Sequence, residues 1–270
     1  MTDKSAVYTH GHHPSVLRSH TWRTARNSAA YLLPELRPGQ DLLDVGCGPG
    51  TITADLATLV APGRVTAVEN APGILEQAER HAVGAGVTGI VFEVADVHEL
   101  PYADDSFDVV HAHQVLQHVA DPVQALREMR RVCRPGGVVA ARDSDYAAFF
   151  WYPQLPALDE WQQLYRRTAR ANGGEPDAGR RLHAWAREAG FTDITPGAST
   201  WCYATEEERA WWGDLWAERI TDSPFARHAE REGLATVADR QRIADGWRAW
   251  AADPDGWLTI PHGEVLCRVE

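Results

Sequence analysis

What the chain lacks bounds its function before any motif is read. It has four cysteines in 270 residues, Cys47, Cys133, Cys202 and Cys267, with no C-x-x-C pair among them. That spacing supports neither a disulfide framework nor a zinc ribbon, and free thiols in a reducing cytoplasm are expected. No apolar run reaches 18 residues, so no membrane span is expected. The segment from Met1 to His10 is polar and has none of the apolar core of a signal peptide. Lysine is scarce beside arginine, and the net charge is −12. The first forty residues, with Lys4, Arg18, Arg23, Arg26 and Arg37 against Asp3 and Glu35, are net positive, so the body is more acidic still. An acidic body repels a phosphate backbone, which excludes nucleic acid as a partner. There is also no internal repeat and no low-complexity tract.

What is present centres on Leu42-Leu43-Asp44-Val45-Gly46-Cys47-Gly48-Pro49-Gly50-Thr51. An apolar run ends in a carboxylate, three alternating glycines follow, and a helical pattern starts at Thr51. This is a strand, a tight loop and a helix N-terminus. Glycine lets a ligand approach the loop backbone, and the loop amides and helix end face that ligand. The G-x-G-x-G spacing departs from the G-x-G-x-x-G of dinucleotide folds, and the missing lysine excludes a P-loop.

Further apolar runs repeat the pattern. Val65–Val68 ends in Glu69, placed where a carboxylate accepts hydrogen bonds from both hydroxyls of a ribose. Ile90–Val94 leads into Ala95-Asp96-Val97, a carboxylate suited to an exocyclic adenine amine. The stretch from Asp104 to His118 holds a fourth strand, which Gln114 follows. Leu126 to Val139 reads as a helix, a Pro-Gly-Gly turn and a fifth strand. Strands alternating with helices argue for a parallel sheet with right-handed crossovers. Ligands of such sheets sit at the carboxyl ends of the strands. The cofactor-facing candidates are therefore Gly46, Gly48, Glu69, Asp96, Val97 and His113, with Asp44 ordering the loop.

In order, spacing and identity these motifs resemble the class I S-adenosylmethionine-dependent methyltransferases over about residues 36–145. The resemblance implies S-adenosyl-L-methionine as cofactor, and it places Gln114 near the methionine portion. It also implies an α/β fold: a Rossmann-like, doubly wound, seven-stranded sheet with the last strand antiparallel, an N-terminal helical lid and a helical insertion before that strand. Residues 1–40 would form the lid and its helices, starting at Pro14-Ser15, with a helical pattern over 16–33 broken near Asn27. Residues 41–144 would form the cofactor-binding core, and 145–270 the C-terminal helices, closing strands and insertion. Within that last part, strand six is expected over 195–205, inserted helices over 206–252 and strand seven over 263–270.

Acceptor groups must come from elements that roof the carboxyl ends. Tyr8-Thr9-His10-Gly11-His12-His13 concentrates a phenol and three imidazoles. A lid that excludes water from the sulfonium suits it best. A metal site or a solvated tail are the alternatives, and no metal is expected. Tyr8, His12, His13 and Asp143 are the candidate proton acceptors, and Arg142 is placed to orient a substrate carbonyl. Most of the eleven tryptophans lie from Trp185 onward, and Trp212 and Trp216 share a helix face at i, i+4. As pocket lining they suit a flat aromatic substrate, although such stripes are more often core packing.

The run Ser15-Val16-Leu17-Arg18-Ser19-His20 is similar to the N-termini of bacterial ubiquinone/menaquinone-type methyltransferases. A narrower likeness is to actinobacterial C-methyltransferases of tryptophan-derived cyclic dipeptides. Together these imply methyl transfer to a small aromatic, indole-type acceptor of natural-product biosynthesis, with carbon as the favoured atom. A quinone-type C-methyltransferase and a cofactor-binding regulatory protein without catalysis are the alternatives, and a homodimer stays open.

Overall fold

The computed structural model describes Thr9 and residues 14–270. Helix α1 (Pro14–Thr21) starts at its proline, and α2 (Ala25–Ser28) is capped by Thr24, whose side chain accepts from the Asn27 amide. The single helical pattern read over 16–33 is thus broken at 22–24, before Asn27. Then β1 (Leu42–Val45), α3 (Thr51–Val60), β2 (Val65–Glu69), α4 (Pro72–Gly84) and β3 (Ile90–Val94) run outward in one direction. The chain returns to lay β4 (Phe107–His113) on the other side of β1, then passes through α5 (Pro122–Val132) to β5 (Cys133–Ser144). These five strands are parallel. β1 is buried on both faces, as a central strand between two helical layers must be. The reversal of winding opens a crevice between the carboxyl ends of β1 and β4, the place where such sheets hold ligands.

Beyond β5 come the short strand β6 (Phe150–Tyr152), then α6 (Pro156–Ala171), α7 (Leu182–Glu188) and β7 (Asp193–Tyr203). Helices α8 (Glu206–Thr221), α9 (Pro224–Arg231) and α10 (Val237–Ala252) follow, and β8 (Trp257–Arg268) ends the sheet. β8 lies antiparallel between β5 and β7. β6 also pairs with β8, through Phe150–Thr259 to Tyr152–Trp257. The sheet therefore has eight strands, where seven were expected. The extra one is a three-residue piece that the sequence hides inside a stretch read as helical. The last two expected strands are present with bounds shifted by a few residues.

Two clusters of aliphatic side chains fill the faces of the parallel half. One includes Leu43, Val110, Leu126 and Val139; the other Leu42, Leu56, Val109 and Ala140. The third cluster is aromatic. Trp161 of α6 meets Trp216 of α8 at 4.7 Å and Trp247 of α10 at 4.8 Å, both edge-on. Trp216 and Trp247 stack at 14°, and Trp161, Trp216, Trp247 and Trp250 are fully buried. Capping boxes start α8 at Thr205–Glu208 and α10 at Thr236–Asp239. Gly213 lets α10 approach α8, since a Cβ there would lie 2.6 Å from that of Ala251. No helix among the described residues is long and apolar enough to cross a membrane.

Candidate active site

A cavity of about 480 Å³ occupies the crevice. Its first wall is the glycine loop. Gly46, Gly48 and Gly50 have φ of +66°, +53° and +78°, a region that side chains rarely adopt. A Cβ on Gly46 would also overlap Val115, whereas one on Gly48 would have no neighbour closer than 3.9 Å. Gly48 thus keeps its backbone open to the cavity. Asp44, below the loop, is buried and fixed. Its carboxylate accepts from Thr53 Oγ1 at 2.5 Å and pairs with His111 Nδ1 at 2.8 Å. Burial, then the carboxylates of Asp44 and Glu69, hold the Cys47 thiol far above its ordinary range, so it is no nucleophile.

Glu69 at the end of β2 receives the Asn70 amide at 2.9 Å and the Gly48 amide at 3.3 Å. Its oxygens are tied to the loop and line the cavity beside it. Asp96 follows β3. Partial burial opposes its ionisation, but the backbone and ring of His98 hydrogen-bond it and keep it below the usual carboxylate range. Asp44, Gly46, Gly48, Glu69, Asp96, Val97, His113 and Gln114 all line this one cavity. Asp44 nevertheless spends both oxygens on Thr53 and His111, which makes it the anchor of the loop.

Leu17 and His20 of α1, then Arg23, His113, Gln114 and His118, line the same cavity, together with Asp121. Arg23 donates to Gln114 Oε1 at 2.7 Å and lies 5.5 Å from the centre of the Trp201 ring. Gln114, held at a φ of +55°, passes the contact on to His262, Nε2 to Nε2 at 2.8 Å. His113 is 7% exposed, and neither ring nitrogen has a hydrogen-bond partner among the described residues. Burial, then Arg23, Arg142 and His262, hold its pKa well below the ordinary histidine value, so it is a neutral imidazole. Burial, then Arg23, lowers His118 to about 3.

Helix α1 is a wall of this cavity, clamped from outside by the insertion. Arg219 of α8 donates to Ser15 O at 3.1 Å and Ser19 Oγ at 3.2 Å, and Arg18 pairs with Glu218. Thr51 Oγ1 donates to His20 O at 3.3 Å, tying α1 to the glycine loop as well.

The remaining sequence candidates lie elsewhere. Trp212 and Trp216 belong to the aromatic cluster and are not on the cavity wall. Trp216 meets Trp161 of α6 and Trp247 of α10, and Trp212 stacks on Tyr203 of β7, so the expectation that they line the acceptor pocket is corrected to core packing. Arg142 and Asp143 also lie beneath the surface. β5 is flanked by β4 and β8, so its carboxyl end is covered rather than open. Arg142 is 1% exposed, donates to Ser199 Oγ at 3.0 Å and Glu264 Oε1 at 3.2 Å, and stands beside His113 across the strand pair. Asp143 accepts from the Gln117 amide at 3.0 Å, and burial pushes it up to about 7. Tyr8, His12 and His13 lie outside the described residues. Sequence reading missed Leu17, His20, Arg23 and His118. Only Arg23 carried a signal, as a charge in a segment expected to roof the site.

The fold and cavity define a doubly wound α/β enzyme with a site for an adenosyl cofactor. The comparisons narrow this. Residues 36–191 match the family model described as a methyltransferase domain. Over 97% of its length the chain is 33% identical to an uncharacterised methyltransferase of Schizosaccharomyces pombe, of which 96% is covered. It is 44% identical to the 27-O-demethylrifamycin SV methyltransferase of Amycolatopsis mediterranei over 42% of each chain. Among solved structures, the YcgJ protein of Bacillus subtilis superposes with a TM-score of 0.59 at 19% identity, covering 91% of this chain and 99% of that one. The chain belongs to the methyltransferase-domain family and is an S-adenosylmethionine-dependent methyltransferase. Its site fits that cofactor: an open-backboned glycine loop at a helix N-terminus, with the carboxylates of Glu69 and Asp96 set apart along one wall.

Proposed function

We propose that this methyltransferase acts on a small aromatic acceptor of specialised metabolism, indole-type or similar, with carbon as the receiving atom. The observation that carries the small-molecule part is the clamped α1. It closes one side of a cavity of about 480 Å³ and leaves a pocket of ligand size instead of a groove for a polymer. The imidazoles of His20, His113 and His118 beside Leu17 and Val119 supply flat and apolar contact for a ring.

The cofactor supplies a sulfonium-activated methyl group. Glu69 would hold its ribose, Asp96 and Val97 its adenine, and Gly46, Gly48 and Gln114 its amino-acid portion. The protein's remaining task is alignment of the acceptor, since positioning supplies most of the acceleration in such a transfer. His113, neutral and with unused lone-pair and N–H capacity at the wall, is the described group best placed to hydrogen-bond an acceptor. Tyr8, His12 and His13 are proposed to complete the lid and supply a base. Their replacement (Tyr8→Phe, His12→Ala, His13→Ala) is expected to lower kcat and leave the melting temperature within a degree or two.

The division of labour proposed is cofactor binding by 41–144 and acceptor enclosure by 1–40 and 145–270. The cytoplasm is the proposed compartment, supported by the four free thiols. Incubation with labelled S-adenosylmethionine and a panel of indoles, phenols and quinones, read by mass spectrometry, tests the reading. A methylated indole or phenol is expected. Quinones alone as products would support the quinone-type alternative, and tight cofactor binding with no product anywhere in the panel would favour a non-catalytic role.

A further inference from the structure

Asp96 and His98 form a fixed pair on the cavity wall, in the turn that follows β3. The turn closes through the Glu99 amide, which donates to Asp96 O at 3.1 Å. The Asp96 carboxylate accepts the His98 amide at 2.9 Å, the local bond by which an aspartate holds the backbone two residues on. The His98 ring adds a bond from Nδ1 at 2.7 Å, and to the same oxygen, Oδ1. No bond among the described residues reaches Oδ2, so that oxygen keeps its acceptor capacity on a residue that lines the cavity. The ring itself is held from behind. The Asp121 amide donates to His98 Nε2 at 3.4 Å, and Gln124 Nε2 donates to His98 O at 3.2 Å. A backbone amide can only donate, so Nε2 carries the lone pair and Nδ1 carries the proton. Asp121 caps α5 by accepting the Gln124 amide at 2.8 Å. His98 is thus a strut between the end of β3 and the start of α5, with one N–H set on Asp96.

We propose that His98 is a positioning residue that sets how sharply the site reads the cofactor's base. It occupies Oδ1 and holds the Asp96 carboxylate in the orientation that offers Oδ2 to the exocyclic amine of adenine. A 6-oxopurine presents an oxygen where the amine would be, and its lone pairs then face those of the carboxylate. A carboxylate on a free side chain turns aside from that oxygen at small cost. One pinned by a ring that is itself pinned does not, so the wrong base leaves a charged acceptor unpaired. The inference rests on the assignment of Asp96 to the adenine and adds the residue that fixes its geometry.

The test is calorimetric titration of S-adenosylhomocysteine and S-inosylhomocysteine into the whole protein. The two probes differ at position 6 of the purine and in the ring proton that goes with it. The unaltered protein is expected to bind the adenosyl compound about a hundredfold more tightly, as a hydrogen bond to a charged group requires. His98→Phe keeps a ring and removes the donor, and the preference is expected to fall about tenfold. His98→Asn places an amide N–H near the position of Nδ1 and is expected to keep most of the preference. A preference unchanged in His98→Phe overturns the proposal, as does a loss in His98→Asn as large as that in His98→Phe. Asp96→Asn, whose amide can donate to an oxygen at position 6, is expected to abolish the preference. A preference intact in Asp96→Asn would mean that the adenine lies elsewhere, which is failure of the Asp96 assignment and is told apart in this way from failure of the His98 role. Equal binding of the two probes by the unaltered protein would overturn both.

Discussion

The parallel half of the sheet and the helical insertion solve the burial problem in different ways. The first uses aliphatic strands between two helical layers, and its function lies in loops at the strand ends. Leu42 to Val45 must be apolar because both faces are covered, so Gly46 onward is free to serve a ligand. The insertion uses aromatic rings packed edge to face among α6, α8 and α10, and its tryptophans are scaffold. It reaches the site indirectly, by holding α1 through Arg219. A rich stripe of aromatics is thus no sign of an aromatic-binding surface. Here the rings stabilise the support of the wall that the acceptor meets.

Breaking the aromatic core should produce the largest effect. Trp247→Ala removes a fully buried ring between Trp161, Trp216 and Trp250, and is expected to cost about 3–5 kcal/mol of stability. The affinity of the folded fraction for cofactor should be unchanged. Denaturant unfolding with a parallel titration checks both, and a loss of affinity without loss of stability would place this ring at the site after all.

Asp143 gives a pH-dependent contrast between the buried floor and the exposed loops. Its carboxyl is held up to about 7 by burial, against backbone hydrogen bonds and Arg142, which favour the charged form. The folded protein therefore keeps a proton that the unfolded chain releases near pH 4, and this group's contribution falls as pH rises from about 4 to 7. His113, His118 and His262 act in the opposite sense. All are held below the ordinary histidine value, so they cost stability as pH falls through about 6.5. Asp143→Asn isolates the first effect. The stability difference between the variant and the unaltered protein should grow from pH 4 to 7 by about 2–4 kcal/mol in the variant's favour, then level off. A difference that is flat with pH would mean the carboxyl is not held in its protonated form.

Cutting the clamp should be milder. Arg219→Met leaves Ser15 O and Ser19 Oγ without this donor and should cost about 1–3 kcal/mol. It should also raise KM for the acceptor, because α1 loses its support. Arg18→Gln, at the half-exposed pair with Glu218, should cost less than about 1 kcal/mol. Kinetics and melting curves of the two variants side by side separate the buried contact from the surface one.

How far the sequence showed this division follows from its physics. The parallel half was legible because each strand is a continuous apolar run, each turn has its glycine or proline, and each cofactor candidate sits at a strand end. All of those candidates meet at one cavity. The acceptor side was poorly legible for three reasons. Three residues of extended chain at 150–152 carry too little periodicity to be told from the helices around them. Trp212 and Trp216 have the same spacing whether their face meets a ligand or another helix, and tertiary packing chose the helix. Arg142 and Asp143 lie at the end of a strand whose neighbour β8 arrives from more than a hundred residues away and covers them. His118 and Gln114 owe their places to a turn with a left-handed residue, which no local pattern announces.

The measurement closest to the centre of this account is calorimetric titration of S-adenosylmethionine into the unaltered protein and into Glu69→Ala. Glu69 is anchored by the Gly48 and Asn70 amides with its oxygens on the cavity wall. The unaltered protein should bind in the micromolar range, roughly −8 kcal/mol. Removing the carboxylate should weaken binding by about 1.5–3 kcal/mol. Binding of NAD in place of S-adenosylmethionine, or an affinity indifferent to Glu69, would contradict the assignment of this cavity.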